Sequence, residues 1–227
     1  MKNKILWIIT ALSFILSAVS VNFLPEKIPM HYDINGVVDR YGSRYEVFFY
    51  PVLILIVAAV MTFISVRQQK SMADSSDDKE KEMKKNNIKV ISVVVICFTV
   101  VQFIMQCTSL FSIIASSGIL AFAENIDSFK LSMTMLSFSF GIVFIIVGNI
   151  LPKTRKNEIV GLRTNATMKN DQIWQKSNRF AGKVMVISGF CTVVSAFVFK
   201  GILSVIIMIV LLLLGTVISS VYAASID

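Results

Sequence analysis

The chain has 227 residues, of which 55% are hydrophobic and only 16% are charged. A soluble domain usually carries about 25% charged residues. The 22 basic and 14 acidic residues leave a formal charge of +8, and most of this charge lies in short segments between long uncharged runs. This distribution excludes an ordinary soluble domain and predicts a protein that crosses a membrane several times.

Six apolar runs approach or reach the length that a helix needs to cross a ~30 Å hydrocarbon core at about 1.5 Å per residue. Backbone polar groups find no water in lipid, and the alternating pattern of a β-barrel is absent. We therefore predict an all-α, polytopic integral membrane protein with six transmembrane helices. The runs are 5–24, 47–66, 90–109, 131–151, 184–199 and 201–224.

Lysine and arginine are concentrated after the second and fourth runs, which predicts that these segments and both termini are cytoplasmic. The basic charge then requires no direct binding of nucleic acid. Two alternatives stay open. Lys2 and Lys4 before the first run fit a cleavable signal sequence as well as a first span. Residues 110–123 form either a re-entrant piece or the end of a longer, tilted third helix.

A charged linker divides the chain into a two-helix region, 1–89, and a four-helix region, 90–227, whose inner loop is 148–182. Within the linker, Asp77 and Lys81 have the i,i+4 spacing of an exposed helix. This spacing predicts that the third span begins inside the cytoplasm.

Motifs of the common enzyme and metal-binding classes are absent, and His31 is the one histidine. No Asp, Glu, Lys or Arg lies well inside a run, which disfavours a pump or an ion-coupled transporter. We expect no cofactor, no metal and no enzymatic activity. Gln102 and Gln106 share a helix face inside the third run, and we predict that they form interhelical hydrogen bonds.

The outer segment between the first two runs carries strand and turn signals. Pro25 ends the first helix, Pro29 keeps the chain extended, and Asn35-Gly36 favours a turn between two short pieces of alternating polarity. A small hairpin on the outer membrane face is the predicted structure.

The inner loop carries a stop signal and a helical pattern. Pro152 ends the fourth run, and residues 171–182 predict a helix that lies along the inner membrane interface. In this arrangement Trp174 is an anchor at the level of the lipid headgroups. The residues with the spacing of one helical face are Ile173, Trp174, Ser177 and Phe180.

The inner segment carries, in order, Gly148-Asn149, Asn157, Gly161-Leu162-Arg163-Thr164, Trp174 and Asn178-Arg179-Phe180. In the order and spacing of these residues it resembles the SdpI family of bacterial membrane immunity proteins. The outer stretch from Leu24 to Gly36 is similar to a domain of unknown function that often precedes that family. The chain departs from the pattern at Asn165-Ala166, where many relatives have Pro-Trp.

The resemblance implies a multi-pass protein of the bacterial cell membrane, in contact with lipid, that protects the cell against a secreted, membrane-active peptide toxin without catalysis. It also implies signalling, in which the toxin-engaged protein sequesters a cytoplasmic winged-helix repressor. The candidates for the toxin-facing surface are His31, Tyr32, Gly36 and Asp39. The candidates for signalling or partner contact are Asn149, Asn157, Gly161, Arg163, Thr164, Trp174, Asn178 and Arg179.

Other interpretations stay open beside this one. Arg163 fits capping of helix-end carbonyls or binding of lipid phosphate as well as signalling. For the whole chain, the alternatives are a small-solute transporter or channel, and a role in envelope maintenance.

Overall fold

The computed structural model describes residues 2–74, 76–116, 127–156 and 160–227. These residues form long helices, and five helices are long and apolar enough to cross a membrane, while the apolar part of the first, Lys4–Ser20, is shorter. The all-α, polytopic prediction is confirmed. The helices are α1 Lys2–Ser20, α2 Phe49–Asp74, α3 Asp78–Ser116, α4 Ser128–Ile150, α5 Asp171–Val198 and α6 Gly201–Ser225.

The helices form two groups joined through α3 and α4. The first three pack against one another, the last three do the same, and α3 contacts α4. Trp7 Nε1 donates a hydrogen bond to Thr62 Oγ1, which shows that the N-terminal half of α1 lies beside the C-terminal half of α2. Asp227 contacts Lys169 of the inner loop. Both termini therefore lie at the end of the bundle that carries the inner loop, which the basic residues predict to be cytoplasmic. The division at residue 89 stays a prediction.

The third helix is longer than its apolar run. It begins at Asp78, which confirms that the second half of the charged linker is helical. It continues to Ser116, as the longer-helix alternative for residues 110–123 requires, and the remainder of that segment lies outside the described residues.

The fifth helix differs from the predicted separate interfacial helix. It runs without a break from Asp171 to Val198, so residues 171–182 are the cytoplasmic extension of the fifth span. Asn170 starts it, because its Oδ1 accepts a hydrogen bond from the Ile173 N–H at 2.9 Å. The extension stays in line with the rest of the helix because it buries one face against protein. The buried residues of this face are Ile173, Trp174, Ser177, Asn178 and Ala181.

Glycines allow α4 and α5 to touch through their backbones. A Cβ atom on Gly148 would lie 2.8 Å from the Gly182 carbonyl oxygen, and one on Gly141 would lie 3.0 Å from that of Gly189. Small residues at such a seam let two membrane helices approach closely and gain van der Waals contact. The seam thus fixes the helix that ends before the inner loop against the helix that follows it.

Polar side chains join α1 to α3 inside the bundle. Gln106 Nε2 donates hydrogen bonds to the Ser13 carbonyl oxygen at 3.0 Å and to Ser17 Oγ at 2.9 Å. Ser13 Oγ donates to Gln106 Oε1 in return. The predicted interhelical hydrogen bonds of Gln106 are confirmed. Gln102 differs, because its buried Oε1 has no hydrogen-bond partner among the described residues.

This contrast gives a matched pair of variants. Gln106→Leu is expected to lower the free energy of unfolding by about 1–2 kcal/mol, because it removes hydrogen bonds between two buried helices. Gln102→Leu is expected to leave it unchanged or raise it, because it removes an unsatisfied buried oxygen. Thermal unfolding of the purified variants in detergent measures both, and equal losses of stability would contradict the assignment.

Candidate functional site

The outer hairpin is formed by β1 Lys27–Tyr32 and β2 Val38–Ser43, which pair in antiparallel fashion. Asp33 builds the loop between them: its Oδ1 accepts hydrogen bonds from the N–H groups of Asn35 at 2.9 Å and Val37 at 2.7 Å. These bonds, that of Val37 above all, lower the pKa of Asp33 below its ordinary value. Gly36 has a φ of +81°, a conformation that favours glycine. The predicted hairpin is confirmed, and Gly36 provides its backbone geometry.

The hairpin brings three toxin-facing candidates together. His31 Nδ1 lies 2.6 Å from Asp39 Oδ1, and their side chains are 65% and 47% exposed. The Tyr32 ring packs on Phe129 in the first turn of α4, with a distance of 6.0 Å between ring centroids. Burial is the largest cause that raises the pKa of Tyr32 above its ordinary value. The hairpin thus has an exposed polar face and is fastened to α4 through Tyr32.

A cavity of about 760 Å³ lies beneath the hairpin. Its volume falls within the range of about 300–1,000 Å³ that is typical of ligand sites. Residues 28–32 form its roof, and α2, α3 and α4 form its walls. The sequence analysis missed this cavity, because its walls come from segments far apart in the chain and no local pattern marks it.

At the other end of the bundle, two side chains of α5 hold the inner loop. Trp174 is fully buried, and its Nε1 donates a hydrogen bond to the Thr154 carbonyl oxygen at 3.0 Å. Asn178 Oδ1 accepts one from the Leu162 N–H at 2.6 Å. We call Thr154, Leu162, Trp174 and Asn178 the inner anchor. The predicted position of Trp174 among lipid headgroups is wrong, because the ring is enclosed by the inner loop.

Gly161 and two threonines shape the loop around this anchor. Gly161 has a φ of +135°, and a Cβ atom there would lie 2.7 Å from the Trp174 ring. Thr167 Oγ1 accepts a hydrogen bond from the Thr164 N–H at 2.8 Å and donates one to the Leu162 carbonyl oxygen at 2.9 Å. Sequence reasoning missed Thr167, although a threonine three residues after another is a known hydrogen-bonded turn pattern.

The two candidate arginines have a different environment from the anchor. Arg163 and Arg179 are exposed, and neither side chain forms a hydrogen bond or an ion pair with any residue that the structure describes. Other basic residues of the inner surface do have acidic partners: Arg155 pairs with Glu82, Lys156 with Asp171, and Lys169 with Asp227. The exposed arginines are thus placed to bind an anionic group or a partner protein.

Asn149, a further inner candidate, forms no hydrogen bond with the anchor residues. Asn149 is exposed, and its Nδ2 donates a hydrogen bond to the Ile145 carbonyl oxygen of its own helix at 2.8 Å. Asn157 lies outside the described residues. The structure therefore unites Gly161, Thr164, Trp174 and Asn178 around one loop, and it leaves the arginines at the loop surface.

These features define a multi-pass membrane protein with a folded outer hairpin and an anchored inner loop. Comparison with known proteins agrees. Residues 153–223 match the SdpI/YfhL protein family, and residues 8–55 match the Domain of unknown function (DUF1648). The chain is 32% identical over 222 residues to "Immunity protein SdpI" of Bacillus subtilis (strain 168). The aligned residues cover 96% of this chain and 92% of the relative.

The chain therefore belongs to the SdpI/YfhL family, and it is a multi-pass protein of the bacterial cell membrane. No solved structure matches it. The resemblance seen in the inner and outer segments is confirmed.

Proposed function

We propose that the chain is a non-catalytic immunity protein that protects the cell against a secreted, membrane-active peptide toxin. The observation that carries this proposal is the relationship, along 96% of the chain, to a protein named for immunity. The hairpin supports it, because a peptide that arrives from outside meets this folded, polar surface first. His31 and Asp39 are exposed on that surface.

We further propose that the inner loop transmits toxin binding to a cytoplasmic winged-helix repressor. The α4 helix supports this role, because it begins against Tyr32 and ends just before Thr154, which bonds to the buried Trp174. A toxin that prefers one arrangement of α4 biases the loop at its other end. Arg163 and Arg179 then form the surface that the repressor contacts.

Survival of a sensitive bacterial strain tests the proposed immunity. Cells that express the chain are challenged with a panel of membrane-active peptides from related producers, beside cells that carry the empty vector. We expect selective protection against at least one peptide. If the protein accumulates in the membrane and protects against none, the immunity proposal is wrong.

Arg163→Ala tests the signalling role. We expect unchanged abundance and unchanged protection, with recruitment of the repressor to membranes weakened about tenfold, the size of effect that loss of one important interface residue produces. Lys176→Ala is the matched control, because Lys176 is another exposed cation of the inner surface. Co-sedimentation of repressor with membranes measures the effect. Equal recruitment by both variants would remove Arg163 from the interface.

A further inference from the structure

We infer that the cavity beneath the outer hairpin is a binding site for an apolar segment of a membrane-inserted peptide. The inference rests on the proposed immunity function and deepens it, because it assigns a place and a chemistry to the toxin contact. It moves the main contact from the polar surface of the hairpin to the space below it.

The cavity reaches the lipid-facing surface of the protein. Phe49 and Val52 of α2 line it, although they are 62% and 45% exposed. A ligand can therefore enter from the outer leaflet, where a membrane-active peptide accumulates, without crossing the hairpin. Met30, Met105 and Met133 also line the cavity. Methionine side chains adapt to irregular apolar surfaces, which suits a peptide segment better than a ligand of one fixed shape.

Three serines give the cavity a polar wall. Ser109 and Ser112 of α3 and Ser132 of α4 line it, and none of their hydroxyls forms a hydrogen bond with any residue that the structure describes. Ser112 is 4% exposed, so its free hydroxyl is almost completely buried. A buried hydroxyl without a partner costs free energy, which a ligand recovers when it supplies one.

The rest of α3 shows that this wall is unusual. Ser92, Thr99 and Thr108 each donate a hydrogen bond to the carbonyl oxygen one turn earlier, the common solution for a hydroxyl inside an apolar helix. The Ser112 hydroxyl forms no such bond. Rotation about its Cα–Cβ bond can turn this hydroxyl toward a ligand without moving the helix.

The mixed lining selects between two occupants that the bilayer offers. A lipid acyl chain fills the apolar part but offers the three hydroxyls no hydrogen-bond acceptor. A peptide fills the same space with apolar side chains and brings backbone carbonyl oxygens that accept from serine. The polar wall therefore favours a peptide segment.

A pair of phenylalanine variants tests the site in the full chain. Ser132→Phe fills the cavity, whereas Ile142→Phe adds an aromatic ring to α4 at a lipid-exposed position outside the cavity. Each protein is reconstituted in phosphatidylcholine nanodiscs and titrated with a dansyl-labelled synthetic peptide of leucine, valine, alanine and glycine. We expect Ser132→Phe to bind about tenfold more weakly than the wild type and Ile142→Phe to bind equally well. Ser109→Ala with Ser112→Ala, which adds no bulk, is expected to weaken binding about threefold.

The outcomes separate this inference from the proposed function. Equal peptide binding by wild type, Ser132→Phe and Ile142→Phe overturns the cavity as the site, even if wild-type cells survive the toxin. Acyl chains that compete for the cavity would weaken peptide binding in lipids with longer chains. If this weakening is equal in the wild type and the double alanine variant, the acyl chain displaces the peptide and the peptide as occupant is overturned. If cells that express the wild-type chain do not survive the toxin, while peptide binding still depends on the cavity, only the immunity proposal is overturned.

Discussion

Gly148→Ala is expected to lower the free energy of unfolding by about 3 kcal/mol and to reduce the amount of protein in the membrane. The added Cβ atom would lie 2.8 Å from the Gly182 carbonyl oxygen and 2.9 Å from the Val186 backbone nitrogen. Backbone atoms of a helix cannot rotate aside, so α4 and α5 must separate. Their separation also moves the Pro152 end of α4 relative to the inner anchor.

Gly215→Ala in α6 is the matched control. Its Cβ atom would lie 3.2 Å from Ser188 Oγ and from Val184 Cγ1, which are side-chain atoms that can yield. Both substitutions gain about 1 kcal/mol of helix propensity, so the difference between them reports the backbone contact. Thermal unfolding in detergent, followed by circular dichroism, measures each midpoint. A midpoint for Gly148→Ala at or above that for Gly215→Ala would contradict the backbone contact.

The parts of the fold that local free energies determine were predictable from the sequence. The free energy of transferring an apolar run into lipid decides where a span lies. The last span shows this most closely, because α6 is Gly201–Ser225 and the predicted run is 201–224. Turn chemistry is equally local, and the Asn35-Gly36 signal fell within the loop that closes the hairpin.

Features that depend on contacts between distant residues were not predictable. The periodicity of residues 171–182 correctly indicated a helix with one apolar face, but the same pattern fits a face turned to lipid or to protein. Trp174 is enclosed because the Thr154 carbonyl oxygen, twenty residues earlier, accepts its hydrogen bond. The cavity likewise depends on how three helices and a hairpin meet. One sequence gives no measure of such distances.

Trp174→Ala is expected to open the inner loop while the membrane bundle stays folded. Removing a fully buried tryptophan costs about 3–5 kcal/mol, and here the loss falls on the contact that holds Thr154 and Gly161. If the loop opens locally, the fraction of open molecules rises by about a hundredfold to a few thousandfold, since each 1.4 kcal/mol is a factor of about ten. Trypsin in inside-out vesicles should then cut after Arg163 and Lys169 faster by a similar factor.

Trp7→Ala is the control, because the chain has two tryptophans and this one differs in its burial. Trp7 is 42% exposed, and its Nε1 donates to Thr62 Oγ1 near the cytoplasmic half of α2. We expect its replacement to leave cleavage of the inner loop unchanged. Equal acceleration by both variants would indicate that the whole bundle loosens, which would contradict a local role for Trp174.

Trp174→Phe separates the two parts of the anchor. The phenyl ring keeps much of the apolar contact with Gly161 but cannot donate to the Thr154 carbonyl oxygen, so we expect a loss of about 1–2 kcal/mol and about tenfold faster cleavage. The loop in this variant is loosened while Arg163 remains intact. If repressor recruitment falls in Trp174→Phe as it does in Arg163→Ala, the shape of the loop and its exposed charge act together as one surface. If recruitment falls in Arg163→Ala alone, the charge suffices and the anchor serves stability.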